Sequence, residues 1–174
     1  HPTRRCGACR IDAMEDDDGT ARALAELMAD RRGESPRRQA RTPDELAHLL
    51  DRAGDLTLDE LRRRTAPADQ WPTPTEPVHE LLQHGRAIEI PFLTPRDGVS
   101  WRASLVENFP RYLAALGVEA LRRVRAGIDL REQTAADAVP QQFRVPAMEA
   151  RVARAEMLTR FVSLAGPVTV AEIT

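Results

Sequence analysis

Thr42-Pro-Asp-Glu-Leu-Ala-His-Leu-Leu-Asp-Arg-Ala-Gly-Asp-Leu-Thr-Leu-Asp-Glu-Leu61 is the stretch that decides the fold. Thr42 caps a helix, and Pro43 takes its first position, where a missing N–H goes unnoticed. Glu45 stands three residues after the cap and closes a capping box. Leu46, Leu49 and Leu50 then fall on one face, and Gly54 stops the helix. Asp55-Leu-Thr57 has room only for a short extended piece. Thr57 and Glu60 repeat the capping-box spacing and start a second helix, which runs through Leu58 and Leu61 to Arg64.

Downstream, after a proline-rich connection holding Trp71, Val78, Leu81 and Leu82 share a face and predict a third helix over residues 76–84, ended by Gly85. The period then changes from helical to alternating. Residues 87–93 read as a strand, 94–98 (Thr-Pro-Arg-Asp-Gly) as a turn, and 99–102 as the returning strand. Pro91 confines the first strand to a sheet edge or a bulge, because it cannot donate to a ladder. Helix, short strand, helix, helix and two-stranded hairpin is the order of a winged helix. The fold class is therefore mainly α with a small β part (α+β). Residues 105–116 predict a further helix whose start Pro110 interrupts or shifts. Residues 121–127 read as a short helix, 128–146 as a linker, and 148–165 as a long helix. Upstream, residues 20–32 read as a helix and 33–41 as an arginine-containing loop. The expected division is an irregular segment with one helix (1–41), a winged-helix domain (42–117), a short helix and linker (118–146), and a second, truncated winged-helix unit (147–174).

The second unit rests on an internal repeat. Leu46 to Leu61 aligns without gaps on Leu158-Thr-Arg-Phe-Val-Ser-Leu-Ala-Gly-Pro-Val-Thr-Val-Ala-Glu-Ile173, with the Ala-Gly pair, the capping threonine, its glutamate and the apolar positions coinciding. A domain ending there would leave an apolar face uncovered, so the expectation is a piece of a longer protein.

Composition narrows the function classes. The 174 residues are 42% hydrophobic and 30% charged, with 13 prolines and a net charge of -2, so the chain can bury a core but is not a uniformly basic nucleic-acid binder. Every basic residue other than histidine is arginine. No apolar run approaches the roughly 18–20 residues that cross a membrane, and no signal-peptide pattern opens the chain; a cytoplasmic protein is expected. Cys6 and Cys9 have no second pair to complete a four-sulfur zinc site, although His1 offers a third ligand. No metal or cofactor is expected. Neither a Ser-His-Asp nor a Cys-His arrangement can be argued from the spacings.

Residues 44–57, then Gly85-Arg-Ala-Ile-Glu-Ile90, Trp101-Arg-Ala103, Pro110-Arg-Tyr-Leu-Ala-Ala-Leu-Gly117 and Phe161-Val-Ser-Leu-Ala-Gly-Pro-Val-Thr-Val-Ala-Glu172 together resemble the large helicase-related (Lhr) family. The similar region lies downstream of the two motor domains, where the helicase core passes into the carboxy-terminal winged-helix array. The resemblance implies an ATP-dependent superfamily 2 DNA helicase of DNA repair that translocates on single strands, with ATP and Mg bound by its motor. This chain has no Gly-x-x-x-x-Gly-Lys-Ser/Thr loop, no Asp-Glu-x-His or Asp-Glu-Ala-Asp box, and no lysine to hold a phosphate. It is read as the non-catalytic accessory segment, with DNA (single-stranded or without sequence preference) and the remaining helicase domains as partners. A winged-helix transcription regulator and a winged-helix protein-interaction module are the alternatives.

Candidate DNA contacts follow from placement. Arg62, Arg63 and Arg64 end the second helix, where the macrodipole also favours cations. Gln83 and Arg86 lie on or after the third helix, beside His79 and His84 on a weakly basic face. Arg96 sits at the hairpin turn, where a wing tip can follow a phosphate backbone, and Arg102 sits on the return strand. Arg122, Arg123 and Arg125 form a second basic cluster. Trp71 and Trp101 read as core anchors before base-stacking platforms.

Overall fold

The computed structural model describes residues 17–94 and 98–165. Helix α1 spans Asp17–Arg32, α2 Pro43–Ala53, α3 Leu58–Arg63 and α4 Pro77–Gln83. Thr42 Oγ1 accepts the Glu45 N–H at 3.1 Å, as the capping signal requires, but the Glu45 carboxylate accepts from the Arg41 N–H at 2.7 Å. The second arm of that box thus reaches one residue further back than expected. The Thr57 box is reciprocal: Glu60 N–H donates to Thr57 Oγ1 and Thr57 N–H to the Glu60 carboxylate, at 3.2 and 2.8 Å. Between the two helices Leu56 exchanges two backbone hydrogen bonds with Ala103, at 3.0 and 2.7 Å, so the short extended piece flanks the sheet.

Strands β1 (Ala87–Thr94) and β2 (Gly98–Leu105) form the hairpin, in register from Ala87 opposite Leu105 to Thr94 opposite Gly98. Leu46, Leu50, Leu81, Leu82 and Val78 pack with Ala87, Ala103 and Leu105 on one face of the sheet. Ile88 and Ile90 face the other way, onto Phe109, Tyr112 and Leu113 of helix α5 (Phe109–Leu116). Each such large side chain, fully buried, contributes about 1.5–3 kcal/mol. A 3₁₀ turn at Val106–Asn108 precedes α5, and Pro110 sits in the first helical turn, so the proline moves the helix start to Phe109.

Two expectations are corrected. Residues 121–127 are not helical: strand β3 (Arg123–Ala126) pairs with β4 (Arg131–Thr134), and the sheet order is β2-β1-β3-β4. The Leu121/Val124 spacing is too short to separate a helix from a strand. Here β1 offers an edge to pair with, Val124 enters the core, and Arg123 reaches Glu132 across the ladder at 2.7 Å. Residues 128–146 accordingly carry β4, helix α6 (Ala135–Ala138) and a 3₁₀ turn at Gln141–Phe143, not a bare linker.

The second correction concerns Pro91. β1 is an inner strand, not an edge. Ala103 aims both its backbone groups at Leu56, so its partner Glu89, and with the same parity Pro91, point theirs away from β2. Pairing with β3 occurs at Glu89 opposite Arg125, which leaves Pro91 beyond it. The missing N–H therefore falls where no ladder bond is needed.

Helix α7 (Ala150–Ala165) packs back on the winged-helix unit. Ala153 is buried against Ala114 and Ala115, Arg154 Nε donates to the Ala115 carbonyl at 2.8 Å, and Arg160 Nη1 donates to the Asp51 carbonyl at 2.7 Å. The remainder of the expected second unit, from residue 166, lies outside the described residues, as do Cys6, Cys9 and Arg96.

Candidate nucleic-acid interface

A winged helix offers two elements to a nucleic acid, its third helix and its hairpin. Here these are α4 and β1–β2. The exposed surface of α4 is mixed in charge. His79 Nε2 lies 3.4 Å from Glu76, His84 Nδ1 lies 2.8 Å from the Glu80 carbonyl, and Thr73 Oγ1 donates to the Glu80 carboxylate at 2.8 Å. Gln83 is exposed, with no side-chain hydrogen bond among the described residues. Arg86, at the far end of the helix, is half-exposed and pairs with Asp44 at 2.6 Å. At 1.5 Å rise per residue α4 is about 10 Å long, so Gln83 and Arg86 share one end. Arg62 lies at the other, 3.6 Å from Glu76.

The three consecutive arginines of α3 part company. Arg62 and Arg63 are exposed, with long ion pairs to Asp59 at 3.6 Å and to Glu34 at 3.9 Å respectively. Arg64 has a side chain only 5% exposed. Its Nε donates to the Arg32 carbonyl and its Nη1 to the Glu60 carbonyl, both at 2.8 Å, and Glu34 lies 3.3 Å away. Burial lowers its pKa. It ties the end of α1 to α3 and presents no surface to a ligand.

Arg102 is also withdrawn. Its Nε lies 2.7 Å from Asp55 Oδ2, a charge contact whose N–H is not aimed at the oxygen, and its Nη2 donates to Glu60 Oε2 at 3.2 Å. Tyr112 donates its hydroxyl hydrogen to Asp55 at 3.1 Å. Burial pushes the Asp55 carboxyl above the usual carboxylate range, against the opposing pull of Arg102. Burial acts the same way on Glu60, but the Thr57 N–H and hydroxyl together with Arg102 outweigh it and hold that carboxyl low. The network joins β2 to α3 and to the Leu56 piece.

Neither tryptophan is the core anchor expected: both are partly exposed and lie outside the buried clusters. Trp71 Nε1 donates to the Ala66 carbonyl at 2.6 Å, and the Arg125 guanidinium lies 4.1 Å over the Trp101 ring. That stack carries no sequence signal, because the residues meet only through the β1–β3 pairing. Arg123 is held by Glu132, while Arg122 has no acidic partner among the described residues. A cleft of about 840 Å³ opens where β1 and β3 part, lined by the apolar Phe92, Leu93, Val99 and Trp101 and also by Arg122 and Arg123. No group of three or more metal-ligating side chains occurs among the described residues, and no described helix is long and apolar enough to cross a membrane.

Three helices, a bridging extended residue and a two-stranded wing define a winged-helix domain. The family described as "Large helicase-related protein, winged-helix domain" matches residues 20–128, more than half of the chain. The chain belongs to this family. The match opens within α1 and ends in the turn after β3, so it takes in the β3 strand that the sequence reading missed. No curated protein and no solved structure matches the chain.

Proposed function

We propose that the chain is a non-catalytic, nucleic-acid-binding segment of an Lhr-type DNA helicase, working in the cytoplasm beside the motor domains in DNA repair. The observation that carries this is the winged-helix unit itself, presented by a chain of the Lhr family. The surface of α4 favours binding without sequence readout: base-specific contacts are commonly made by bidentate arginine, asparagine or glutamine, and only Gln83 at its end and Arg86 just beyond it offer such a group. Arg62, Arg63 and Arg86 are the exposed candidates for phosphate, whereas Arg64 and Arg102 are committed internally. ATP and Mg belong to the motor in this reading; with neither a phosphate loop nor a lysine, the residues here do not fit them.

The internal repeat supports a second winged-helix unit opening within α7. Leu158, Phe161 and Val162 occupy the positions of Leu46, Leu49 and Leu50, yet all three are exposed while their counterparts are buried.

A second reading has its own observation. Leu93 is 85% and Val99 47% exposed beside the cleft at the wing, which suits a protein partner better than a phosphate backbone. Fluorescence anisotropy with labelled single-stranded and duplex oligonucleotides separates the two. Arg86→Gln and an Arg62/Arg63 double glutamine variant should each weaken all sequences alike, and should flatten the salt dependence by about 0.9 per lost contact on duplex. Unchanged slopes in both would hand the surface to a protein partner.

A further inference from the structure

Away from α4 and the wing, the C-terminal turns of α1, α2 and α7 converge on a cavity of about 380 Å³. Arg31, Arg32, Arg38 and Arg52 line it, with Asp30 as the acid among its lining residues and Ser163 at its edge. Asp30 is firmly ionised: the Ser35 hydroxyl donates to it at 2.7 Å and Arg38 lies 3.4 Å away, and both hold its carboxyl below the ordinary range. Arg32 Nε donates to the Leu164 carbonyl at 3.4 Å. Arg31 and Arg52 have no acidic partner among the described residues.

A rival explanation is that these cations serve the helix ends. Each helix C-terminus carries about half a negative charge, so three of them neutralise about one and a half positive charges. Arg38 is offset by Asp30, and each helix end already has its own arginine, Arg32 at Leu164, Arg64 at Arg32 and Arg160 at Asp51, so the charges of Arg31 and Arg52 are left facing the cavity in a chain whose net charge is -2. Guanidinium forks match phosphate oxygens two at a time.

We propose that this cavity binds a phosphate group, and that in the working protein it is a backbone phosphate of DNA running past α1, α2 and α7. The DNA source rests on the function proposed above; the phosphate chemistry does not. The site shares no lining residue with α4 or the hairpin, so the two can be tested apart.

The experiment uses the whole chain, a labelled oligothymidylate and, separately, inorganic phosphate. Arg31→Gln and Arg52→Gln are compared with Arg151→Gln, an exposed arginine of α7 outside the cavity that has no acidic partner among the described residues. Each cavity variant should lower the slope of log affinity against log salt by about 0.7 on single strands, with Arg151→Gln unchanged. Arg52→Lys should restore the slope, which separates lost charge from lost folding. Inorganic phosphate should saturably shift the Arg31 and Arg52 Nε–H resonances. Saturation by phosphate with an unaltered oligonucleotide slope would support the site and overturn DNA as its source. Unmoved resonances together with parent-like slopes would overturn the proposal outright. Arg86→Gln run alongside separates this site from the wing: a slope lowered by Arg86→Gln alone sinks the cavity reading, and one lowered by Arg52→Gln alone sinks the α4 reading.

Discussion

Replacing Arg102 by methionine keeps most of the side chain's length and removes its charge from between Asp55 and Glu60. The three side chains are 24%, 20% and 28% exposed, so the two carboxylates would face each other with little water to screen them. Breaking a buried ion pair by removing one partner costs about 3–5 kcal/mol. The residual exposure, and the Thr57 donors that still hold Glu60, place this case near about 3 kcal/mol. That is a large share of a total stability of about 5–15 kcal/mol, and a fall of roughly 6–12 °C in Tm for a chain of this size. The pH dependence has a definite sign. Asp55 already titrates above its ordinary range because burial disfavours the anion, so its contribution is favourable in acid and is lost as pH rises through its folded value. Without Arg102 that folded value climbs further, so the deficit of the variant should widen from about pH 5 to about pH 7.5. Urea unfolding at both pH values measures it, and a second change, Asp55→Asn, in the same chain should recover most of the loss. An unchanged urea midpoint, accompanied by a salt slope for duplex DNA lowered by about 0.9, would refute the argument and return Arg102 to the phosphate-contacting set.

Three further outcomes are expected. Thr57→Ala removes the hydroxyl that accepts the Glu60 N–H and leaves the backbone arm to the Glu60 carboxylate in place, and it should cost about 1 kcal/mol in urea unfolding, with oligonucleotide affinity at low salt unaltered. Leu50→Ala, at a fully buried position of α2, should cost about 2–5 kcal/mol, and a loss under about 1 kcal/mol would mean that α2 does not pack as described. Glu89 is buried, its Oε2 lacks a hydrogen bond, and Arg125 is 3.8 Å away, so burial holds its carboxyl above the usual range. Its ionised form is the costly one, so the native state gains stability as pH falls through that raised value. Glu89→Gln should therefore stabilise by about 1 kcal/mol near neutral pH and confer nothing in acid, as read by thermal melts across pH.

What the sequence made legible was local. Caps, helix-ending glycines and the switch from helical to alternating period each act over a few residues, and these placed α2, α3, α4 and the hairpin where the structure has them. What it hid depends on distant pairing. Residues 121–127 become a strand because β1 offers them an edge at Glu89, and nothing in Leu-Arg-Arg-Val-Arg-Ala-Gly announces that edge. Pro91 misled for the same reason: whether a proline harms a ladder depends on which neighbour its nitrogen faces, and that parity is set by Leu56 and Ala103, far away in the chain. The candidate site suffered likewise. Arg62, Arg63 and Arg64 are adjacent and identical in the sequence, yet one is buried and two are exposed, a distinction fixed by where α1 ends.

The fates of the arginines share a physical logic that bears on function. Arg32 donates to the Leu164 carbonyl, Arg64 to those of Arg32 and Glu60, Arg144 to Val139, Arg154 to Ala115 and Arg160 to Asp51. Every one of these carbonyls belongs to the last turn or cap of a helix, where the chain's own ladder leaves oxygens without donors. A planar guanidinium can bond such an oxygen while its charge offsets the negative helix end, and Arg64 uses its fork on two helix ends at once. In a chain with no lysine, whose described residues include seven α-helices, arginine thereby becomes the device that closes and joins elements. The count of basic residues consequently overstates the capacity for phosphate: a guanidinium bound to a helix end releases no counterion when DNA arrives. Capacity resides in exposed arginines left out of those joints, among them Arg31, Arg52, Arg62 and Arg63, and in the half-exposed Arg86 once it exchanges Asp44 for a phosphate. A shallow salt dependence, and binding confined to low ionic strength, follow from that division of labour rather than from the net charge alone.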